Sequence, residues 1–141
     1  MTAQAAPPQV LPPANPADPH RYLSGPNPVC ADWTSTLEQF GAATTAWQQI
    51  DPSIPAYAWT PQQAAVNDAA VPVMNSDANE LEQLGQRSAN PTLGDFATLA
   101  AQYRRAFVAA VPTYTPADNH LANAATYLST TILGACSAVS V

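Results

Sequence analysis

The sequence predicts an all-α domain, an antiparallel four-helix bundle behind a proline-rich N-terminal segment, and three observations carry that prediction. Apolar residues recur every three or four positions in four separate stretches, and two of those stretches open on the same Thr-Pro device. No stretch shows the period-two alternation of a half-buried strand. Short connections between such stretches favour helices that run antiparallel to their neighbours.

Residues 1–28 hold eight of the chain's 15 prolines. Proline fixes φ and removes a backbone donor, so this stretch reads as a disordered, extended spacer, in preference to a ligand for a proline-recognising module. The helical domain is then residues 29–141. Its first helix opens at Cys30 and places Trp33, Leu37, Phe40, Thr44 and Trp47 on one face, and it should stop near Ile50, because Pro52 and Pro55 push the residue before each out of the helical region. The second starts at Thr60-Pro61-Gln62-Gln63, a capping box with proline at the first helical position. Val66, Ala70, Val73, Leu81 and Leu84 keep helical spacing across Pro72, where a kink is expected, and the exit lies within Gly85 to Asn90. The third follows Pro91, with Thr92 as cap and Asp95 near the positive end of the dipole, and lines up Phe96, Leu99, Ala100, Tyr103, Phe107, Ala110 and Val111 before Pro112. The fourth repeats the Thr-Pro start at Thr115-Pro116-Ala117-Asp118 and carries Leu121, Ala124, Ala125, Leu128, Ile132 and Cys136.

Composition narrows the function classes. A chain of 141 residues makes one domain with a single core. There is no lysine, alanine is about a fifth of the residues as in proteins of GC-rich genomes, and the formal net charge is -6. Nucleic acid and anionic lipid surfaces both demand clustered Lys and Arg, so neither is an expected partner. No run approaches the length of a membrane span, and the proline-rich opening is expected to follow a membrane anchor that this chain does not carry.

The two cysteines, Cys30 and Cys136, open the first helix and close the fourth. In an up-down-up-down bundle those ends share a pole, so a disulfide between them is expected. It would close nearly the whole domain into one loop and places the chain outside the reducing cytoplasm. Leu133-Gly134-Ala135-Cys136 also spells a bacterial lipoprotein cleavage box, but such cysteines become the first residue of the mature chain, and here a folded domain lies upstream. No basic neighbour would hold a thiolate, and two cysteines fall short of a structural zinc site.

Catalytic chemistry finds little purchase. His120 with Asp118, Asp95 and the tyrosines Tyr103, Tyr114 and Tyr127 is the one grouping that could bind haem or a metal or act in acid-base chemistry, yet Asp118 and His120 sit in a first helical turn, where an acid caps and its neighbour faces solvent. His20, in the proline-rich segment, weighs less. Arg104 and Arg105 point in different directions on a helix and form no clamp; Arg104 is expected to pair with an acid on an adjacent helix and Arg105 to be solvated. Trp33, Trp47 and Trp59 with Phe40, Tyr57 and Tyr103 read first as core and second as the lining of a pocket. Tyr57 and Trp59, on the loop side, are the candidate partner surface. Phosphate loops, nucleophile elbows, zinc-helix motifs and calcium loops are missing from the sequence. Neither a metal nor a cofactor is expected.

Asn27-Pro28-Val29-Cys30-Ala31-Asp32-Trp33, Trp59-Thr60-Pro61, Ala101-Gln102-Tyr103-Arg104-Arg105-Ala106 and the closing Cys136 together resemble extracytoplasmic domains of mycobacterial proline-rich, single-pass membrane proteins of unknown function. The resemblance covers roughly residues 27 to 138 and implies a domain facing the cell envelope, tethered by one membrane anchor, with no assigned activity or cofactor. The expectation is therefore a non-enzymatic interaction or scaffolding domain whose partner is an envelope protein. The alternative is a carrier or sensor that holds a small apolar or lipid ligand between its helices.

Overall fold

The computed structural model describes Leu23 and residues 25–139, so the expected disorder of the proline-rich segment falls almost wholly outside the described residues. Five helices follow: α1 (Val29–Ala43), α2 (Thr45–Gln48), α3 (Pro61–Arg87), α4 (Pro91–Ala110) and α5 (Asn119–Ala138). Short 3-10 turns stand at Ala56–Ala58, Val111–Thr113 and Pro116–Asp118, and the described residues contain no strand. The all-α bundle is thus as the periodicity implies, with one subdivision. The expected first helix divides at Thr44, whose backbone leaves the helical region at φ -107° and ψ 13°. Its hydroxyl donates to the Phe40 carbonyl at 2.8 Å, and Gln48 returns a bond to that hydroxyl at 3.0 Å, so side chains hold the break closed.

Start signals translate into caps in three different ways. Thr60 and Gln63 form the reciprocal box, with Gln63 N–H donating to Thr60 Oγ1 and Thr60 N–H to Gln63 Oε1. At α4 the cap is Asn90, not Thr92: its Oδ1 accepts the Leu93 N–H at 3.0 Å, and Pro91 takes the first helical position. Thr115 N–H donates to Asp118 at 2.8 Å across a 3-10 turn, and α5 itself begins three residues after Pro116. α3 runs unbroken from Pro61 to Arg87 with Pro72 on its exposed side.

α3, α4 and α5 pack in antiparallel succession, and α1 lies along α3 with one end against α5. The α3–α4 seam is tight enough to require glycine. A Cβ on Gly85 would stand 2.6 Å from Ala97 Cβ and 3.4 Å from Gly94 Cα. That closeness decides which face of α4 turns inward. Leu93, Ala97, Ala100, Ala101, Arg104 and Phe107 are buried, whereas Leu99 and Tyr103, expected on the core stripe, are exposed. Small residues fit a close crossing, and the larger ones are displaced to its flank.

The core has two parts. One gathers Trp33, Leu81, Leu84, Leu93, Ala97, Ile132 and Cys136 at the pole where the start of α1 meets the end of α5, and the other gathers Met74, Phe107, Val111, Tyr114 and Ala122 at the opposite pole. Between them α3 contributes Asp77 and α4 contributes Arg104, both almost fully buried. An ion pair therefore separates two apolar layers.

Candidate functional site

At the first pole, Asn27 prepares the entry to α1. Its Oδ1 accepts the Val29 N–H at 3.1 Å while its Nδ2 donates to the Ser88 carbonyl at 2.9 Å, tying this turn to the end of α3. One residue into α1, Cys30 is joined to Cys136 of α5, with Cα atoms 5.5 Å apart across a sequence separation of 106. Beside the crosslink Trp33 is fully buried, and its indole N–H donates to the Ser129 carbonyl at 3.1 Å. In the chain-entropy model, closing a loop of this size is worth about 4–5 kcal/mol.

Between α1 and α3 lies an open trough of about 740 Å³. Asp32, Ser35, Thr36, Gln39, Phe40 and Ala43 of α1 form one wall, and Pro72, Val73, Ser76, Asp77, Glu80 and Arg87 of α3 form the other. Arg87 donates to Asp32 across its mouth at 2.9 Å, an exposed pair of small energetic weight. Asp77 is the most buried lining residue. Its Oδ2 accepts from Arg104 Nε at 3.1 Å, while its Oδ1 has no hydrogen-bond partner. The guanidinium carbon of Arg104 lies 4.2 Å from the centroid of the Phe40 ring, a cation-π contact. Burial outweighs the guanidinium's attraction and raises the Asp77 pKa above the ordinary carboxylate value, and burial likewise lowers that of Arg104. Sequence periodicity held the signal for this site: Asp77 and Arg104 each fall where their helix's buried stripe calls for an apolar residue.

The opposite pole carries a smaller cleft, about 250 Å³, lined by Trp47, Trp59, Phe107 and Tyr114 together with Asn67, Asn119, Asn123 and the 48–52 turn. Trp59 stacks on Tyr114 at 5.7 Å and donates its indole N–H to the Ile54 carbonyl. Tyr114 donates its hydroxyl to the Pro52 carbonyl at 2.6 Å, and burial pushes its pKa up. Two of the three tryptophans thus meet here, while Trp33 belongs to the other pole, and Phe40 to the trough.

The remaining expected residues scatter. Tyr57 stands 93% exposed, whereas Trp59 is half-buried and donates its indole N–H within its own loop. His120 is exposed at the start of α5, Asp118 caps the turn before it, and Asp95 sits near the start of α4, at the other pole. Tyr103 and Tyr127 are exposed, and Tyr114 is committed to Pro52, so the proposed histidine-acid-tyrosine grouping does not assemble. His20 lies outside the described residues. Arg104 pairs with the adjacent helix, whereas Arg105, expected in solvent, binds Glu82 through two nitrogens at 2.6 and 2.9 Å and Asn79 at 2.8 Å. Among the described residues no group of three or more His, Cys, Asp and Glu is arranged to hold a metal ion, and no helix is long and apolar enough to cross a membrane.

A family model described as Mycobacterial ESX-1 associated protein matches residues 1–140. The chain is also similar to an uncharacterized protein of Mycolicibacterium smegmatis (strain MKD8), at 47% identity over 135 residues that make up 96% of this chain and 36% of that relative. The chain therefore spans little more than a third of that relative's length. No solved structure matches.

Proposed function

The chain belongs to the family of mycobacterial ESX-1 associated proteins, and from that premise we propose that it is a non-enzymatic interaction or scaffolding domain working outside the cytoplasmic membrane. Its partner on this reading is a protein of the ESX-1 secretion machinery or its surroundings in the envelope. Membrane tethering would come from an anchor elsewhere in the full-length protein. The observation that carries the proposal is the family membership, and the architecture supports it. A bond between Cys30 and Cys136 suits an oxidising compartment. The two-layer core and the crosslinked pole make a rigid body that presents fixed surfaces, and rigid surfaces bind with less ordering cost.

The carrier alternative would place an apolar or lipid ligand in the trough between α1 and α3, which has the size of a ligand site. Two solvated carboxylates, Asp32 and Glu80, line that trough, and desolvating them against a lipid tail is costly. Interaction with protein is therefore the preferred reading. Crosslinking in intact mycobacterial cells, followed by isolation of the full-length protein, tests it. Recovery of envelope or secretion-machinery proteins is the expected result, and recovery of cytosolic proteins alone would overturn the compartment.

A further inference from the structure

We propose that the cleft at the pole of Trp47 and Trp59 is a subsite for one ring of a neutral saccharide. This goes beyond the interaction reading above, and its failure would leave that reading standing. The cleft is built before any ligand arrives. Trp59 rests on Tyr114 and donates to the Ile54 carbonyl, Trp47 packs on Phe107 with centroids 5.5 Å apart, and the Ala56 N–H donates to the Tyr114 carbonyl at 2.9 Å. Both tryptophans stay half-buried, so each keeps ring surface for the cleft. At about 250 Å³ the space lies below the roughly 300–1,000 Å³ of drug-sized sites, which suits a single small ring better than a lipid tail.

Unused hydrogen-bonding groups select the occupant. Asn67 lines the cleft at 3% exposure. Its Nδ2 donates to the Gln63 carbonyl at 2.9 Å, whereas its Oδ1 bonds to no described residue and is not sealed from solvent, so the narrow opening left to it is the cleft. The Trp47 indole N–H and the side-chain amides of Asn119 and Asn123 likewise make no hydrogen bond among the described residues. Donors and acceptors thus surround aromatic rings, and Asp51 is the one charged lining residue, so an anion finds no cation here. An alkylammonium could lie on the rings, but it carries no acceptor for the indole and amide donors. A proline ring could pack there too, but it has no N–H to give Asn67. A sugar hydroxyl both donates and accepts, and the C–H face of the ring packs on indole.

The test is a proton–nitrogen NMR titration of the oxidised 141-residue chain with the methyl pyranosides of glucose, mannose and galactose. Choline, glucuronate and a peptide of residues 7–13, which holds two Pro-Pro pairs, serve as probes of the other ligand classes. At least one neutral glycoside should shift the indole N–H signals of Trp47 and Trp59 saturably and leave that of Trp33, buried at the other pole, in place. Asn67→Ala should weaken that glycoside about tenfold, as expected for a lost hydrogen bond that leaves its partner unpaired. Asn123→Ala, at an exposed position, should weaken it about threefold and keeps the test decisive if Asn67→Ala misfolds. Shifts with none of the three glycosides, or equal shifts of all three indoles, would overturn the subsite. Choline, glucuronate or the peptide moving the two signals in place of the glycosides would overturn the ligand class. An affinity that neither variant changes would overturn the amide contacts, and with them the proposal.

Discussion

Asp77 and Arg104 show how much one pair of side chains can decide. Each is nearly fully buried, so removing one strands the other, and Asp77→Leu or Arg104→Met alone should cost about 3–5 kcal/mol. The double variant, which replaces both charges by apolar volume, should recover most of that loss; urea unfolding of all four proteins measures the cycle. Its pH dependence has a definite sign. Because burial raises the folded-state pKa of Asp77, its contribution is fully present below the ordinary value of 3.8 and is lost as pH rises through the folded value. The double variant should therefore gain on the wild type as pH climbs above the ordinary carboxylate value. Glu82, held below its ordinary 4.5 chiefly by its hydrogen bonds from Arg105, works in the opposite sense, and its contribution fades as pH falls. At Ala89 the backbone adopts φ 53°, the left-handed region where a Cβ is strained. Ala89→Gly should stabilise the protein by about 0.5–1 kcal/mol, read as a rise in the urea midpoint.

At the scale of elements, the α3–α4 hairpin depends on closeness. Gly85→Ala drives a methyl into Ala97, which cannot rotate away, so it should destabilise by about 1–3 kcal/mol and lower the melting temperature. Helix existence was legible because proline, threonine and apolar spacing act locally: Thr60-Pro61 caps α3 where the sequence places it. Facing was less legible. On α4, Leu99 and Tyr103 fit the apolar stripe as well as Ala97 and Ala101 do, and only the approach of Gly85 selects the small face. The division at Thr44 escaped for a related reason, since threonine can serve either as a half-buried stripe residue or as the hydroxyl that ends a helix. Trp59 was legible as a loop aromatic, but its hydrogen bond to Ile54 and its stacking on Tyr114 are contacts set by tertiary structure.

For the whole molecule, the trough was illegible as a cavity because its two walls come from helices distant in sequence, α1 and α3. Its chemistry was half visible, in an acid and an arginine occupying apolar register. The crosslink belongs to this largest scale as well. It fastens the first turn of α1 to the last turn of α5, so α1, which packs chiefly on α3, is also held to α5 and kept against the core. Reduction should lower stability by about 2–5 kcal/mol, with Trp33 fluorescence reporting the loosening of that pole. The claim that this is a crosslinked domain of the envelope is tested most directly by trapping thiols in living cells. Intact mycobacteria carrying the full-length protein are quenched in acid, alkylated with a mass-tagged maleimide before and after reduction, and Cys30 and Cys136 are read by mass spectrometry. The account predicts that both resist the first alkylation and both take the tag after reduction; two freely alkylated thiols in the envelope-bound pool would contradict it.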